Sequence, residues 1–472
     1  MNGGEKQPWL ALLTNHWVSL LGVGLATTAG FSWLFVLPMH LKGKADNPYI
    51  GILAFLIIPA IFILGLMLMP VGVWLARRQV VNGLRAMPNR RASLGRLVTF
   101  LGLMTFVNLV IGSQATYRAV QHMETDQFCG QSCHVMKPEF TAWKQTPHAA
   151  HSHVECVECH IGPGASGWFH AKLAGIQQLK DVTFDTYKRP IESAIESNRL
   201  VGSAETCEKC HARERDLGSS VKVRTAYRDD EANTLTETVL TMREGDIHRA
   251  HVGPGVRIRY APADPKRQTI QWVEYSDGKG RTSQYPAAGV DAKALAALPK
   301  FEMQCVDCHN RPAHTFQPAA KAIDSGLELG EIPTSLPFMK KAGLEIVTAA
   351  FPTAEAAATG IPAKLAAFYK EKYPEIARTR SSEIDAAGKG LVKIFNRNVF
   401  PDLKVTWGTY PINLGHTDAP GCFRCHDGGH STADNSRTIS NDCSLCHEAV
   451  AVDEASPAVL KTLGIPEKKQ TH

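Results

Sequence analysis

The residues able to do chemistry are gathered in six short units, each a pair of cysteines followed at once by a histidine. They are Cys129–Cys133–His134 (CGQSCH), Cys156–Cys159–His160 (CVECH), Cys207–Cys210–His211 (CEKCH), Cys305–Cys308–His309 (CVDCH), Cys422–Cys425–His426 (CFRCH) and Cys443–Cys446–His447 (CSLCH). All 12 cysteines of the chain belong to one of them. Cys-x-x-Cys-His is the pattern of covalent haem c attachment, in which two thiols add to the haem vinyl groups and the adjacent imidazole turns onto the iron. With 12 Cys and 19 His among 472 residues, random placement gives roughly 0.01 copies of that pattern, whereas five occur. Zinc knuckles and thioredoxin-like dithiols also use paired cysteines, but neither requires a His directly after every second Cys. The first unit is one residue wider between its thiols and reads as a haem site with a looser loop. The expectation is therefore six covalently bound haem c groups, each with its motif His as an axial ligand.

A low-spin electron-transfer haem needs a second axial ligand, and that ligand sets the potential. Met136 stands two residues after His134. His148 and His151 precede the second motif, His314 follows the fourth in CHNRPAH, and His416 and His430 flank the fifth. His248 and His251 lie in DIHRAHVGPG, inside a long segment without cysteine, from where they could reach a neighbouring haem. Met136, His148, His251, His314, His416 and His430 rank first. His122, His153 and His170 rank lower. Spare histidines outnumber irons, so a wholly bis-His set is arithmetically possible. Whether the first site uses His134 or Met136 stays open on the residues alone.

These motifs need elements to position them. Three uncharged apolar runs fill the first quarter: Trp17–Met39, Asn47–Ala76 and Leu97–Tyr117. The first, at about 35 Å of helix, is long enough for a bilayer core of about 30 Å. It is longer than a signal-peptide core and lacks a strongly basic leader, so it reads as an uncleaved span. Trp9, Trp17, Trp33, Tyr49 and Trp74 sit near the run ends, as interface aromatics do. Between the second and third runs lie Arg77, Arg78, Arg85, Arg90, Arg91 and Arg96 with no acid. By the positive-inside rule this loop is cytoplasmic, so the loop His40–Asp46 and everything from Arg118 onward lie outside. Covalent haem attachment in bacteria also takes place outside the cytoplasmic membrane, and the two signals rest on different residues.

The expected fold is mainly α: a three-helix transmembrane region over 1–118, then an extracytoplasmic multihaem part. The latter divides into 119–211 with three motifs, a small β-rich insertion over 212–304, and a helical region over 305–472 with the last three. Three motifs between Cys129 and His211 leave little chain for an apolar core there. The insertion alternates polar with β-branched or aromatic residues and carries the turn signal Asp277-Gly278. Apolar residues at helical spacing mark Ala319–Gly330 and Thr353–Phe395. The net charge of +6 is modest and gives no indication of nucleic-acid binding.

FCGQSCHVMKP, TPHAAHSHVECVECHIGPG and GWFHAKL resemble the NapC/NirT family of membrane-anchored quinol dehydrogenases over roughly Gln127–Asp181. The resemblance implies that the first haem is held by Met136 in place of His134, and that Lys172, twelve residues after His160, lines a quinol pocket. The family acid falls at Leu179, so Asp181, two places on, is the substitute candidate. Three spans and six motifs exceed the usual family pattern of one span and four or five haems. That longer form is similar to extended inner-membrane cytochromes of metal-reducing bacteria. It implies a bilayer-embedded cytochrome taking electrons from membrane quinol, with menaquinol favoured, and passing them to periplasmic cytochromes or reductases in anaerobic respiration. A relay subunit without its own quinol site, or a periplasmic terminal reductase, are the alternatives.

Overall fold

The computed structural model describes residues 12–41, 57–84, 90–162, 164–211, 217–466 and 468. The chain forms two compact units, Met1–Phe128 and Cys129–His472. The first unit contains helices α1 (Trp17–Leu41), α2 (Ile58–Val81) and α3 (Arg90–Met123). Ile58–Val81 and Arg91–Met123 are long and apolar enough to cross a membrane, and the expected first span, Trp17–Met39, is helical throughout. Most of the loop His40–Asp46, the start of the second run through Leu56, and Trp9, Tyr49 and Arg85 lie outside the described residues.

Small residues set the packing of α1 on α2. A Cβ placed on Gly65 would lie 2.6 Å from the Ala26 nitrogen and 2.7 Å from the Gly22 carbonyl oxygen. Such residues let two backbones approach where lipid offers no hydrophobic gain for association. Leu94, Val98, Leu101, Phe106 and Leu109 on α3 remain exposed, as lipid-facing side chains would be in water.

The second unit begins with short helices: α4 (Lys137–Trp143), α5 (Cys156–His160) and α6 (Gly164–Thr183), with a one-turn helix at Pro147–Ala150. Among the described residues between Cys129 and His211, the only buried large apolar side chains are Val135 and Phe140. This stretch has no apolar core of its own.

The cysteine-free segment carries β1 (Ser220–Tyr227), β2 (Leu235–Met242), helix α7 (Glu244–Val252), β3 (Val256–Pro262), β4 (Ile270–Asp277), β5 (Thr282–Pro286) and β6 (Phe301–Glu302). Two antiparallel sheets result, one ordered β5-β4-β3-β6 and the other made of β1, β2 and a third strand from later in the chain. The Asp277-Gly278 turn forms as expected, with Gly278 at φ +70°. The Arg281 side chain and the Lys279 and Arg281 amides bond to the Asp277 carboxylate and hold its pKa at about 2. The sheet holding β1 and β2 is not completed within the insertion. Its third strand, β7 (His447–Glu454), comes from beyond the last motif and pairs with β2 from Met242↔His447 to Glu237↔Glu454.

After α8 (Cys305–Cys308), four helices build an ordinary apolar core: α9 (Ala319–Glu328), α10 (Met339–Thr348), α11 (Ala354–Lys372) and α12 (Ser381–Asn398). Ile323, Leu327, Ile361, Leu365, Leu391 and Ile394 meet there, fully or almost fully buried. Thr353 caps α11 by accepting from the Ala356 amide at 3.1 Å. Buried Asn233 ties the β1–β2 hairpin to this core, donating to Thr334 O and Leu336 O and accepting from Lys340 N. Truncating Leu391 to Ala leaves a cavity in this core and should cost about 2–5 kcal/mol. Urea unfolding followed by far-UV circular dichroism checks the value, and the visible absorption bands of the folded variant should match the parent.

Candidate functional site

Each motif lies on a single helical turn, which brings its two thiols to one side and sets the histidine beyond them. Cys156–His160 and Cys305–Cys308 are α-helical, while Cys207–Lys209, Gly421–Arg424 and Cys443–Leu445 are 3₁₀ turns. The histidine amide closes the turn on the first cysteine's carbonyl at 2.8 Å for His211, 2.8 Å for His309 and 3.0 Å for His426. Capping boxes start two of these turns, Glu155 with Glu158 and Gln304 with Asp307. The first motif absorbs its extra residue in a π turn, Phe128–Ser132. A π turn closes i→i+5, one residue wider than an α turn, and Cys129 lies within it while Cys133 follows at its end. Gly130 lies directly against the Phe140 ring, where any Cβ would overlap it.

Five of the motif histidines face a second imidazole. Ring centres are 6.2 Å apart for His148 and His211, 6.1 Å for His160 and His314, and 6.1 Å for His248 and His309. They are 5.8 Å apart for His251 and His426 and 6.0 Å for His416 and His447. A metal about 2 Å from one nitrogen of each ring separates the two ring centres by roughly 6 Å. The donor set and its spacing thus fit haem iron with two axial imidazoles.

Second partners orient the rings. Nδ1 lies 3.1 Å from Pro312 O in His148, 2.8 Å from Glu244 O in His248 and 2.7 Å from Ile247 O in His251. It lies 3.0 Å from Glu139 O in His314 and 2.6 Å from Ser440 O in His426. An Nδ1–H donating to a carbonyl leaves Nε2 as the lone-pair nitrogen, the usual arrangement for a metal-binding imidazole. Burial, with His314 beside it, presses His160 down to about 4. Burial also lowers His251 and His309. The neutral imidazole is the form that ligates a metal.

The remaining candidates fall elsewhere. His430, expected as an axial residue, is fully buried with both ring nitrogens engaged, Nδ1 with Asp427 Oδ1 at 2.9 Å and Nε2 with Ile270 O at 3.1 Å. These bonds tie the fifth-motif loop to β4, and the imidazole facing His426 is that of His251. His248, named beside His251 as able to reach a neighbouring haem, faces His309. Met136 ends the 3₁₀ turn His134–Met136 and precedes α4. Lys172 and Asp181 share α6 but are nine residues apart, two and a half turns at 3.6 residues per turn, so they lie on opposite faces. Lys172 Nζ sits 5.3 Å from the Trp168 ring centre, on the side that also carries exposed Ile176 and Leu179. Asp181 instead accepts from Gln177 Nε2 at 3.0 Å and Thr186 Oγ1 at 3.1 Å. His472 lies outside the described residues.

Successive motifs adjoin. The Cys207 and Cys305 thiols hydrogen-bond, which holds Cys207 below its ordinary range and Cys305 above it. Arg424, inside the fifth motif, donates to the carbonyl of Asp307, inside the fourth, at 2.6 Å and to Arg267 O at 2.9 Å. Asp307 is itself buried with Arg267 at 3.1 Å and accepts from the Tyr260 hydroxyl. Burial pushes the Tyr260 phenol up, so it keeps the proton it donates. No sequence pattern pointed to this network, because its members lie far apart in the chain.

Two membrane-length helices joined to a unit built around cysteine pairs and facing imidazoles define a membrane-anchored c-type cytochrome. Residues 91–238 match the NapC/NirT cytochrome c family, N-terminal region. The chain is 35% identical over 449 residues to the cytochrome c-type protein ImcH of Geobacter sulfurreducens, covering 92% of this chain and 87% of that protein. It is 30% identical over 127 residues to the cytochrome c-type protein NrfH of Wolinella succinogenes, 25% of this chain and 63% of that one. Against the cytochrome c-type protein TorC of Escherichia coli it is 29% identical over 148 residues, 28% and 36% of the two. No solved structure matches. The chain belongs to the NapC/NirT cytochrome c family, and it binds haem covalently.

Replacing Gly130 with Val forces a Cβ into Phe140 and should lower covalent haem by one equivalent per chain while the other sites fill. Pyridine haemochrome absorbance per mole of protein measures this.

Proposed function

We propose that this chain is a six-haem quinol dehydrogenase of the bacterial cytoplasmic membrane. It oxidises quinol, with menaquinol favoured, and delivers electrons to periplasmic cytochromes or reductases. Bound at the six motifs, haem iron takes up and releases one electron at a time. The observation that carries the reading is the set of five facing imidazole pairs. His148–His211, His160–His314 and His416–His447 supply both axial positions of the third, second and sixth sites from the protein, and the remaining two pairs are taken up below. A site closed on both sides by imidazole suits electron transfer and leaves no iron position for a small substrate, which speaks against a terminal reductase. At the first site the family resemblance assigns the ligand to Met136.

Lys172 supports quinol as the donor. It stands on the exposed apolar side of α6 beside Trp168, Ile176 and Leu179, where an ammonium can hydrogen-bond a quinol oxygen while the ring lies on apolar side chains. Asp181, on the opposite face, would act only through water or not at all. If the first apolar helix also spans, the acid-free arginines of Arg77–Arg96 favour a cytoplasmic loop there and a haem-bearing unit on the periplasmic side. Electrons would leave near the fifth and sixth motifs, where Cys422 and Cys443 are exposed.

Reduction of the detergent-solubilised protein by menaquinol and ubiquinol analogues, followed at the haem bands, tests the reading. Haemochrome analysis should give six haems per chain. Fast reduction by one quinol, blocked by a quinone-site inhibitor, is expected, and Lys172→Ala should slow it about tenfold or more with unchanged haem content. Full reduction by dithionite with neither quinol effective would assign a relay role instead.

A further inference from the structure

We infer that the cysteine-free segment is itself a haem-ligating module. His248 and His251, on one turn of α7, are the distal ligands of two different haems, those attached at Cys305–Cys308 and at Cys422–Cys425. This deepens the reading above and rests on these motifs carrying haem.

Residues three apart on a helix have Cβ atoms about 5–6 Å from each other, near enough for one turn to serve two neighbouring sites. The partners differ: His248 stacks opposite His309 at 6.1 Å with ring planes 20° apart, and His251 stands opposite His426 at 5.8 Å. Both rings are oriented by the helix itself. Each Nδ1 bonds the carbonyl four residues back, Glu244 O at 2.8 Å and Ile247 O at 2.7 Å, which leaves both Nε2 atoms directed outward. No other element is needed to set the tautomer.

The helix is fixed at its start. Glu244 pairs with Lys222 of β1 at 2.9 Å, the Gly245 amide donates to Gly218 O at 2.8 Å, and the Arg243 amide donates to Cys446 O at 2.9 Å. On the other side, Arg424 fastens the fifth motif to the fourth through Asp307 O. The two sites therefore share a single ligand-bearing turn above and a side-chain staple below. A rotation or slide of α7 that releases one imidazole also displaces the other, so the fourth and fifth sites are ligated together.

The test uses the full-length holoprotein in detergent with His248→Gly, His251→Gly and, for comparison, His430→Gly. Each of the first two should convert one haem equivalent to high spin in the ferric electron paramagnetic resonance spectrum, and added imidazole should restore low spin. H430G should keep the parent's spin-state distribution. Variants H248G and H251G that keep the parent spectrum with full haem content overturn the inference, as does an added high-spin equivalent in H430G without one in H248G. Should H248G fail to accumulate, H248M decides: a new near-infrared charge-transfer band of thioether-ligated ferric haem is expected, and its absence in a haem-replete protein overturns the assignment. A parent protein lacking haem at these motifs would sink the underlying reading, whereas full haem with unaffected variants sinks this inference alone.

Discussion

Two neutral imidazoles aimed at one another gain almost nothing from each other. Where Nδ1–H is given to a backbone carbonyl, as in His148, His248, His251, His314 and His426, the ring has no proton left for the imidazole it faces, and solvation lost at the contact is not returned by a hydrogen bond between the rings. Five such pairs organise the second unit, and their cost is offset when a metal accepts both lone pairs, which couples cofactor binding to folding. The pairs also dictate the path of the chain. His160 on α5 must meet His314, His148 must meet His211, and the helix carrying His248 and His251 must reach both His309 and His426. Loops of irregular shape are tolerated between these points because the points themselves fix the distances.

Alongside this runs a second kind of interior. The four helices α9 to α12 bury aliphatic side chains against each other in the usual way, with no cysteine and none of the five histidine pairs among them. Between Cys129 and His211 that kind of interior is nearly missing. The unit therefore joins a stretch whose order depends on its ligands to a stretch that holds its shape through packing. Asn233, with both side-chain donors and its carbonyl engaged, joins the β1–β2 hairpin to the packed stretch.

Motif chemistry and helical or alternating periodicity were readable because they are local. The turns, the helices after residue 319 and the hairpin at Asp277-Gly278 all follow from neighbours in the chain. What escaped was long-range facing. His430 follows its motif closely in CHDGGH, yet the Gly428 turn at φ +77° brings its ring onto Asp427 and Ile270, away from His426. His248 and His251 lie some distance before the motifs they face, and only the fold brings them there. The opposite placement of Lys172 and Asp181 was latent in their separation of nine residues, once α6 is seen to be continuous. The wide first motif is explained by a π turn, whose closure no residue type announces.

Strand β7 has a consequence for the order of synthesis. A long stretch of chain separates β2 from the neighbour on its outer edge, His447–Glu454, which is made after it. As the chain emerges, β1 and β2 can zip together as a hairpin, and β2 then presents a row of unpaired backbone amides and carbonyls. That edge stays open until the sixth motif has passed, so the arrival of β7 covers it. The last cysteine pair is delivered on the same stroke, because His447 is both the end of the sixth motif and the first residue of the closing strand.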